Sequence, residues 1–274
     1  MPPAPERGGV VEVAGCPINW VGCGSPQAPA VVLVHGARAN WHWWARAAEP
    51  LVAAGWRAVA LDLSGHGDSG RRPEYRPALW AREVAELASR CGGAAVAGHS
   101  MGGLVGIAAA ARYPEAVTAL VLLDVRIREL DPATRDEPRG TPGRPLRSYR
   151  SRQEAVDSFR LLPAQPIVNR ELVREVAAAS VREESGGWRW KFDPAVAQRF
   201  TDAAVATDLE RLRCPVSAVY GAESEMTSAE TVATTARLLG APVVGEPVAG
   251  AFHHLLLDRP QAVGEAVCRS LGGA

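Results

Sequence analysis

Two rhythms of apolar positions alternate along this chain. Continuous apolar runs at residues 30–34 (AVVLV), 57–61 (RAVAL), 119–123 (ALVLL) and 216–221 (VSAVYG), with a small-residue run ending at Gly98, have the length of strands buried on both faces. Between them, residues 43–54, 80–90, the alanine-rich stretch after Ser100, 229–239 and 260–271 carry apolar residues at helical spacing. Two short segments from Val10, VVEVAG and PINWVGCG, are punctuated by glycine and predict an antiparallel hairpin after a proline- and glycine-rich tail over residues 1–9. A short strand is expected within residues 242–248. Strand alternating with helix demands a parallel sheet with right-handed crossovers.

The alternation breaks after Asp124. Residues 128–166 are dense in proline, glycine and arginine, helical patterns occupy 153–162 and 170–181, and no alternating apolar strand is expected before Val216. A stretch of that length in a compact domain reads as a functional insertion. The expected organisation is a core of residues 1–125 and 206–274 with a lid inserted at 126–205. No internal repeat is evident.

The tightest turn in the pattern is Gly98-His99-Ser100-Met101-Gly102, between a strand and a helix. Glycines two positions either side of Ser100 let strand and helix pack closely around a strained backbone, and the helix start behind it offers N–H groups to a developing negative charge. A serine there becomes a nucleophile only if the chain supplies a base, an acid to orient the base and an oxyanion hole.

Composition adds exclusions. The 274 residues are 47% hydrophobic and 22% charged with zero formal net charge, so neither nucleic acid nor an acidic membrane surface is an expected partner. Lys191 is the only lysine, and the arginine excess reads as base-composition bias. Five scattered cysteines form neither a disulfide framework nor a metal-ligand spacing, so no metal site is expected. With neither a signal segment nor an apolar run of membrane-spanning length, the expected location is the cytoplasm.

The stretches VVLVHG, ALDLSGHGDS, VAGHSMGG, ALVLLD, PVSAVYG and GAFHHLLLDRP stand in one order along the chain. Together they resemble the α/β-hydrolase superfamily, in its serine-nucleophile, lid-containing bacterial form, over nearly everything outside the lid. The resemblance implies a mostly parallel eight-stranded sheet with helices on both faces and a helical lid after the sixth strand. It also implies Ser100 as nucleophile, His253 as base and an oxyanion hole from the amides of Met101 and Ala37. His35 and His66 are expected to brace loops, His254 to pack or touch the lid, and Asp258 to cap the last helix. The acid stays open. In many relatives it lies after the strand matching VSAVYG, but that position here is Ser224. The candidates are Asp124, at the end of ALVLLD, and then Glu225 or Glu223. Asp124 is preferred because it follows a rigid buried strand.

Trp41, Trp43 and Trp44, with His99 and His254, are the expected substrate walls. The lid arginines Arg139, Arg144, Arg147, Arg150, Arg152 and Arg160 are candidates for an anionic group, against a solvated surface as the simpler reading. The expected activity is hydrolysis of a small carboxylic ester, thioester or lactone through an acyl-enzyme, without cofactor. Carbon–carbon hydrolysis or acyl transfer on the same residues is the first alternative, and a non-catalytic ligand-binding module the second. The expected partner is a small molecule with an acyl or carbonyl group. Dehalogenase and epoxide hydrolase chemistry is disfavoured, because those relatives carry aspartate where this chain has Ser100.

Overall fold

A computed structural model describes residues 7–128, 147–184, 186–196 and 202–272. The first half contains β1 (Arg7–Glu12), β2 (Pro17–Cys23), β3 (Ala30–Val34), a short 3₁₀ turn at Trp41–Trp44, α1 (Ala48–Ala53), β4 (Arg57–Leu61) and α2 (Pro77–Arg90). Then come β5 (Ala94–His99), α3 (Met101–Arg112) and β6 (Val117–Leu123). The inserted segment holds α4 (Arg152–Asp157), α5 (Arg170–Ala179), β7 (Val181–Glu184) and β8 (Gly187–Trp190). The chain closes with α6 (Asp202–Glu210), β9 (Val216–Gly221), α7 (Ala229–Leu239), β10 (Val244–Val248), α8 (Leu255–Asp258) and α9 (Pro260–Gly272).

Eight strands make one sheet in the order β1-β2-β4-β3-β5-β6-β9-β10. Pairing is antiparallel only at β1–β2 and β2–β4, and parallel from β4 to β10. Alternation along the central strands divides the core into two layers. Val32 and Val34 join Val96, Leu120 and Leu122 beneath Trp80 of α2 and Val105 of α3. Val31 and Leu33 join Ala95, Ala97, Val121 and Leu123 beneath Leu51 of α1 and Val263 of α9. Both faces of these strands are therefore dry, which is why their sequences read as unbroken apolar runs.

Several expectations need correction. Pairing of β1 with β2 already begins at Arg7, inside the expected tail. The expected helix at 43–54 is a 3₁₀ turn followed by the short α1, because Asn40 caps the turn by accepting a hydrogen bond from the His42 amide. The insertion is not purely helical: β7 and β8 form an antiparallel hairpin, bridged to Tyr149 at Trp188. Its strands are only four residues long and all four residues of β8 are half-buried, so no alternation marks them in sequence. The pattern at 153–162 yields helix only over α4, capped by Ser151.

The inserted segment packs over loops at the carboxyl edge of the sheet. Leu172, Val173 and Val176 of α5 share a cluster with Trp43 and Trp44. The Asp193 amide donates to the Gly65 carbonyl at 2.7 Å, and Tyr75 donates to the Asp193 carboxylate at 2.7 Å. Arg139 and Arg144 lie outside the described residues.

Candidate active site

The loops leaving β3, β5, β6 and β10 meet at the carboxyl edge of the sheet. Ser100 stands between β5 and α3 with φ 52° and ψ −118°, a backbone conformation rare for a residue with a side chain. Glycines make the turn possible: a Cβ at Gly98 would run into the Gly102 carbonyl, and one at Gly102 into the carbonyls of Val34 and His35. The Ser100 amide is fixed by donation to the Leu123 carbonyl at 2.9 Å.

Asp124, directly after β6, is buried and also has positive φ (49°). Its Oδ1 accepts from His253 Nδ1 at 2.8 Å and from the Ser224 hydroxyl at 2.8 Å, while Oδ2 accepts from the Gly221 amide at 2.9 Å. Glu223 and Glu225 point into solvent and have no part in this cluster. The Asp124 carboxylate is an acceptor, so the bond assigns the His253 proton to Nδ1 and leaves Nε2 with a lone pair and no protein partner among the described residues.

The Ala37 and Met101 amides donate to no protein group among the described residues. His35 braces this loop as expected, donating from Nδ1 to the Gly36 carbonyl at 2.7 Å and accepting from the Leu63 amide at Nε2 at 3.1 Å. Burial holds it neutral, its pKa pushed down to about 4. His66 bonds the Ser64 carbonyl at 3.3 Å.

The pattern of the alpha/beta hydrolase family matches residues 31–266. The chain belongs to this family. It is 31% identical to the esterase Rv0045c of Mycobacterium tuberculosis over 97% of this chain and 89% of that protein. The solved structure of that esterase superposes with a TM-score of 0.76 at 26% identity, covering 97% of this chain and 91% of the other. A further structure of it, from work on its transition-metal inhibition, gives a TM-score of 0.73 at 25% identity, with 97% and 92% covered. A thioesterase domain from the curacin biosynthetic pathway gives a TM-score of 0.79 at 21% identity, covering 96% and 99%, and shows the fold alone.

Within this hydrolase, the expected substrate walls separate. Trp43 stands beside the site, its ring 6.4 Å from His99 and 5.5 Å from His254. Trp41 and Trp44 instead line an apolar cavity of about 170 Å³ over β2, β4 and β3, whose walls include neither Ser100 nor His253. His99 is buried and donates from Nε2 to the His253 carbonyl at 2.8 Å. Burial first, and then the adjacent His253 and His254 rings, push it well below the ordinary histidine range. His254 meets the inserted segment: its Nε2 donates to the Pro163 carbonyl at 3.1 Å, its amide donates to Gln165 Oε1 at 2.8 Å, and burial pushes its pKa down to about 4.

The hydrolase also holds contacts that the sequence did not announce. Gln165 clasps the histidine loop by donating to both oxygens of Asp258 at 3.0 and 2.9 Å, and Asp258 also accepts from the Phe252 amide at 2.9 Å. Asp258 thus shapes the loop that carries His253 and does not cap α9 as expected. A lone glutamine in a proline-rich stretch gives no signal of this. Ser224 did offer one, as a hydroxyl where an acid is common, and a hydroxyl can serve that corner as a donor. The described arginine candidates of the inserted segment are engaged within it: Arg147 and Arg150 pair with Glu154, Arg152 bonds the Ala178 carbonyl, and Arg160 the carbonyls of Asp157 and Phe159.

Proposed function

We propose that this hydrolase cleaves a small carboxylic ester, thioester or lactone through an acyl-enzyme on Ser100. The observations that carry the reading are the buried 2.8 Å bond from His253 Nδ1 to Asp124 and a serine held in a strained turn at a helix start. His253 Nε2 takes the serine proton as Ser100 attacks the carbonyl carbon, and the imidazolium is stabilised by Asp124. The Ala37 and Met101 amides, which have no protein acceptor among the described residues, receive the oxyanion. The proton passes to the departing alcohol or thiol. Water, deprotonated by His253, then releases the acid and restores Ser100. The chemistry balances without cofactor or metal.

In this reading the inserted segment, within residues 126–205, acts as the lid, and Trp43, His99 and His254 wall the acyl side. Among the described residues no helix is long and apolar enough to cross a membrane, and we place the enzyme in the cytoplasm. The test is a fluorophosphonate probe followed by intact mass, alongside hydrolysis of p-nitrophenyl acetate. One adduct on the native chain and none on Ser100→Ala is expected. Equal labelling of the two, or esterase activity retained by Ser100→Ala, would overturn the assignment.

A further inference from the structure

The site gathers more imidazole than acyl chemistry requires. His99, His253 and His254 are all buried, and one ring nitrogen from each lies within 4.8 Å of the others. Each ring also has one nitrogen bonded to an oxygen that only accepts: the His253 carbonyl for His99, the Asp124 carboxylate for His253 and the Pro163 carbonyl for His254. Those nitrogens carry the protons, so the opposite nitrogens hold lone pairs. His99 Nδ1 and His254 Nδ1 are buried with no hydrogen-bond partner among the described residues. His99 Nδ1 faces the corner beside the nucleophile, since a side chain at Gly36 would stand 2.9 Å from it and 3.4 Å from Ser100 Cβ. Three imidazoles, each fixed by an outer oxygen, are the usual equipment of a metal-binding histidine cluster.

We propose that His99, His253 and His254 capture one divalent transition-metal ion, zinc or copper by preference, and that the bound ion shuts the enzyme off. All-nitrogen donors select these ions over magnesium or calcium, which prefer oxygen. Nitrogens around a tetrahedral zinc sit about 3.4 Å apart, given bonds of about 2.0–2.1 Å. The observed spread of up to 4.8 Å means that the rings draw together on binding, which suits reversible capture better than a resident metal. Three protein ligands leave a fourth position for water. Binding forms three metal–nitrogen bonds in exchange for metal-bound water, with no redox change. The inhibitory part rests on the function proposed above: the lone pair of His253 that should take the serine proton is engaged by the ion.

The test is calorimetric titration of the full, tag-free chain with zinc chloride and copper chloride, with magnesium chloride as control, beside ester hydrolysis at the same concentrations. One saturable zinc ion per chain is expected, with hydrolysis falling as the site fills and restored by EDTA. His99→Asn and His254→Asn keep an N–H donor, and each should weaken zinc binding more than about tenfold. Asp124→Asn, which disturbs only the outer partner of His253, should weaken it roughly 10- to 100-fold. Ser100→Ala should still bind zinc while lacking activity, so metal capture is read independently of turnover. Absence of saturable binding, binding unchanged by both asparagine variants, or a filled site with full hydrolysis would each overturn the proposal. If Ser100→Ala hydrolyses esters as the native chain does while zinc still binds at the histidines, the catalytic reading fails and the metal site stands.

Discussion

Asp124→Asn is the sharpest probe of the catalytic reading, because the structure fixes how asparagine must sit. Asp124 Oδ1 takes two donors, His253 Nδ1 and the Ser224 hydroxyl, and Oδ2 takes one, the Gly221 amide. The better orientation keeps the amide oxygen toward His253 and Ser224, setting Nδ2 against the Gly221 N–H. Two donors then face each other in a buried place, which costs about 1–3 kcal/mol of stability. The reaction loses more: the negative charge that stabilises the imidazolium disappears. In serine proteases the same substitution lowers kcat by about 10⁴, and retention of the amide oxygen here sets an expectation of about 10³–10⁴. Glu225 is solvent-exposed and outside the cluster, so Glu225→Gln should stay within about 0.5 kcal/mol in stability and near native in kcat. The assay is kcat on p-nitrophenyl acetate across pH, with circular dichroism to confirm folding. If folded Glu225→Gln loses more activity than folded Asp124→Asn, the assignment of the acid is refuted.

Two further outcomes follow from the contacts. Gln165→Ala removes the three hydrogen bonds that tie the inserted segment to the His254 amide and Asp258. It should lower stability by about 1–3 kcal/mol in urea melts and also lower kcat, because the histidine loop loosens; unchanged values of both would show that the clasp is idle. Stability should also fall as pH drops from 7 to 4.5. His35 is held down to about 4 from 6.5, so its neutral form adds about 3 kcal/mol that is present above pH 6.5 and lost as pH falls toward 4. His42 and His254 are also held down to about 4, and burial holds His66 and His99 well below the ordinary histidine range. Asp62 works in the opposite sense: raised to about 6 by burial, it favours the fold below about pH 4 and loses that contribution as pH rises through 6. Glu83, Asp208 and Asp258 are also raised by burial and oppose the loss in the same way, each held back by an arginine beside it. Five histidines outweigh these four carboxylates, and a Tm that does not change over this range would contradict the burial argument.

What was legible in the sequence follows from period and strain. Strands dry on both faces, such as β3 and β5, must be continuously apolar, so their positions could be read directly. Ser100 was legible because a positive φ between two packed elements demands glycines at fixed offsets. The hairpin β7–β8 was not, because its strands are only four residues long and every residue of β8 is half-buried, which imposes no pattern. The tryptophan cluster could not be divided by reading alone. Whether Trp41, Trp43 or Trp44 faces the nucleophile depends on a 3₁₀ turn that a single asparagine side chain starts, and a one-position change of helix type rotates every ring that follows.

The open choice of acid has a geometric origin. β6 and β9 are neighbouring parallel strands, and residues 124 and 224 leave their ends close enough for their side chains to touch at 2.8 Å. A carboxylate on either strand would therefore reach the same imidazole nitrogen, and the chain order serine, acid, histidine is satisfied by both. They cannot both be carboxylates at that distance without one taking up a proton, because like charges so close disfavour double ionisation. Once one strand supplies the acid, the other is best served by a donor, and a serine hydroxyl meets that need by bonding the same oxygen that His253 uses. Ser224 is thus a counterpart of Asp124 and not a gap in the site. The positive φ of Asp124 turns its short side chain over the sheet edge to meet His253.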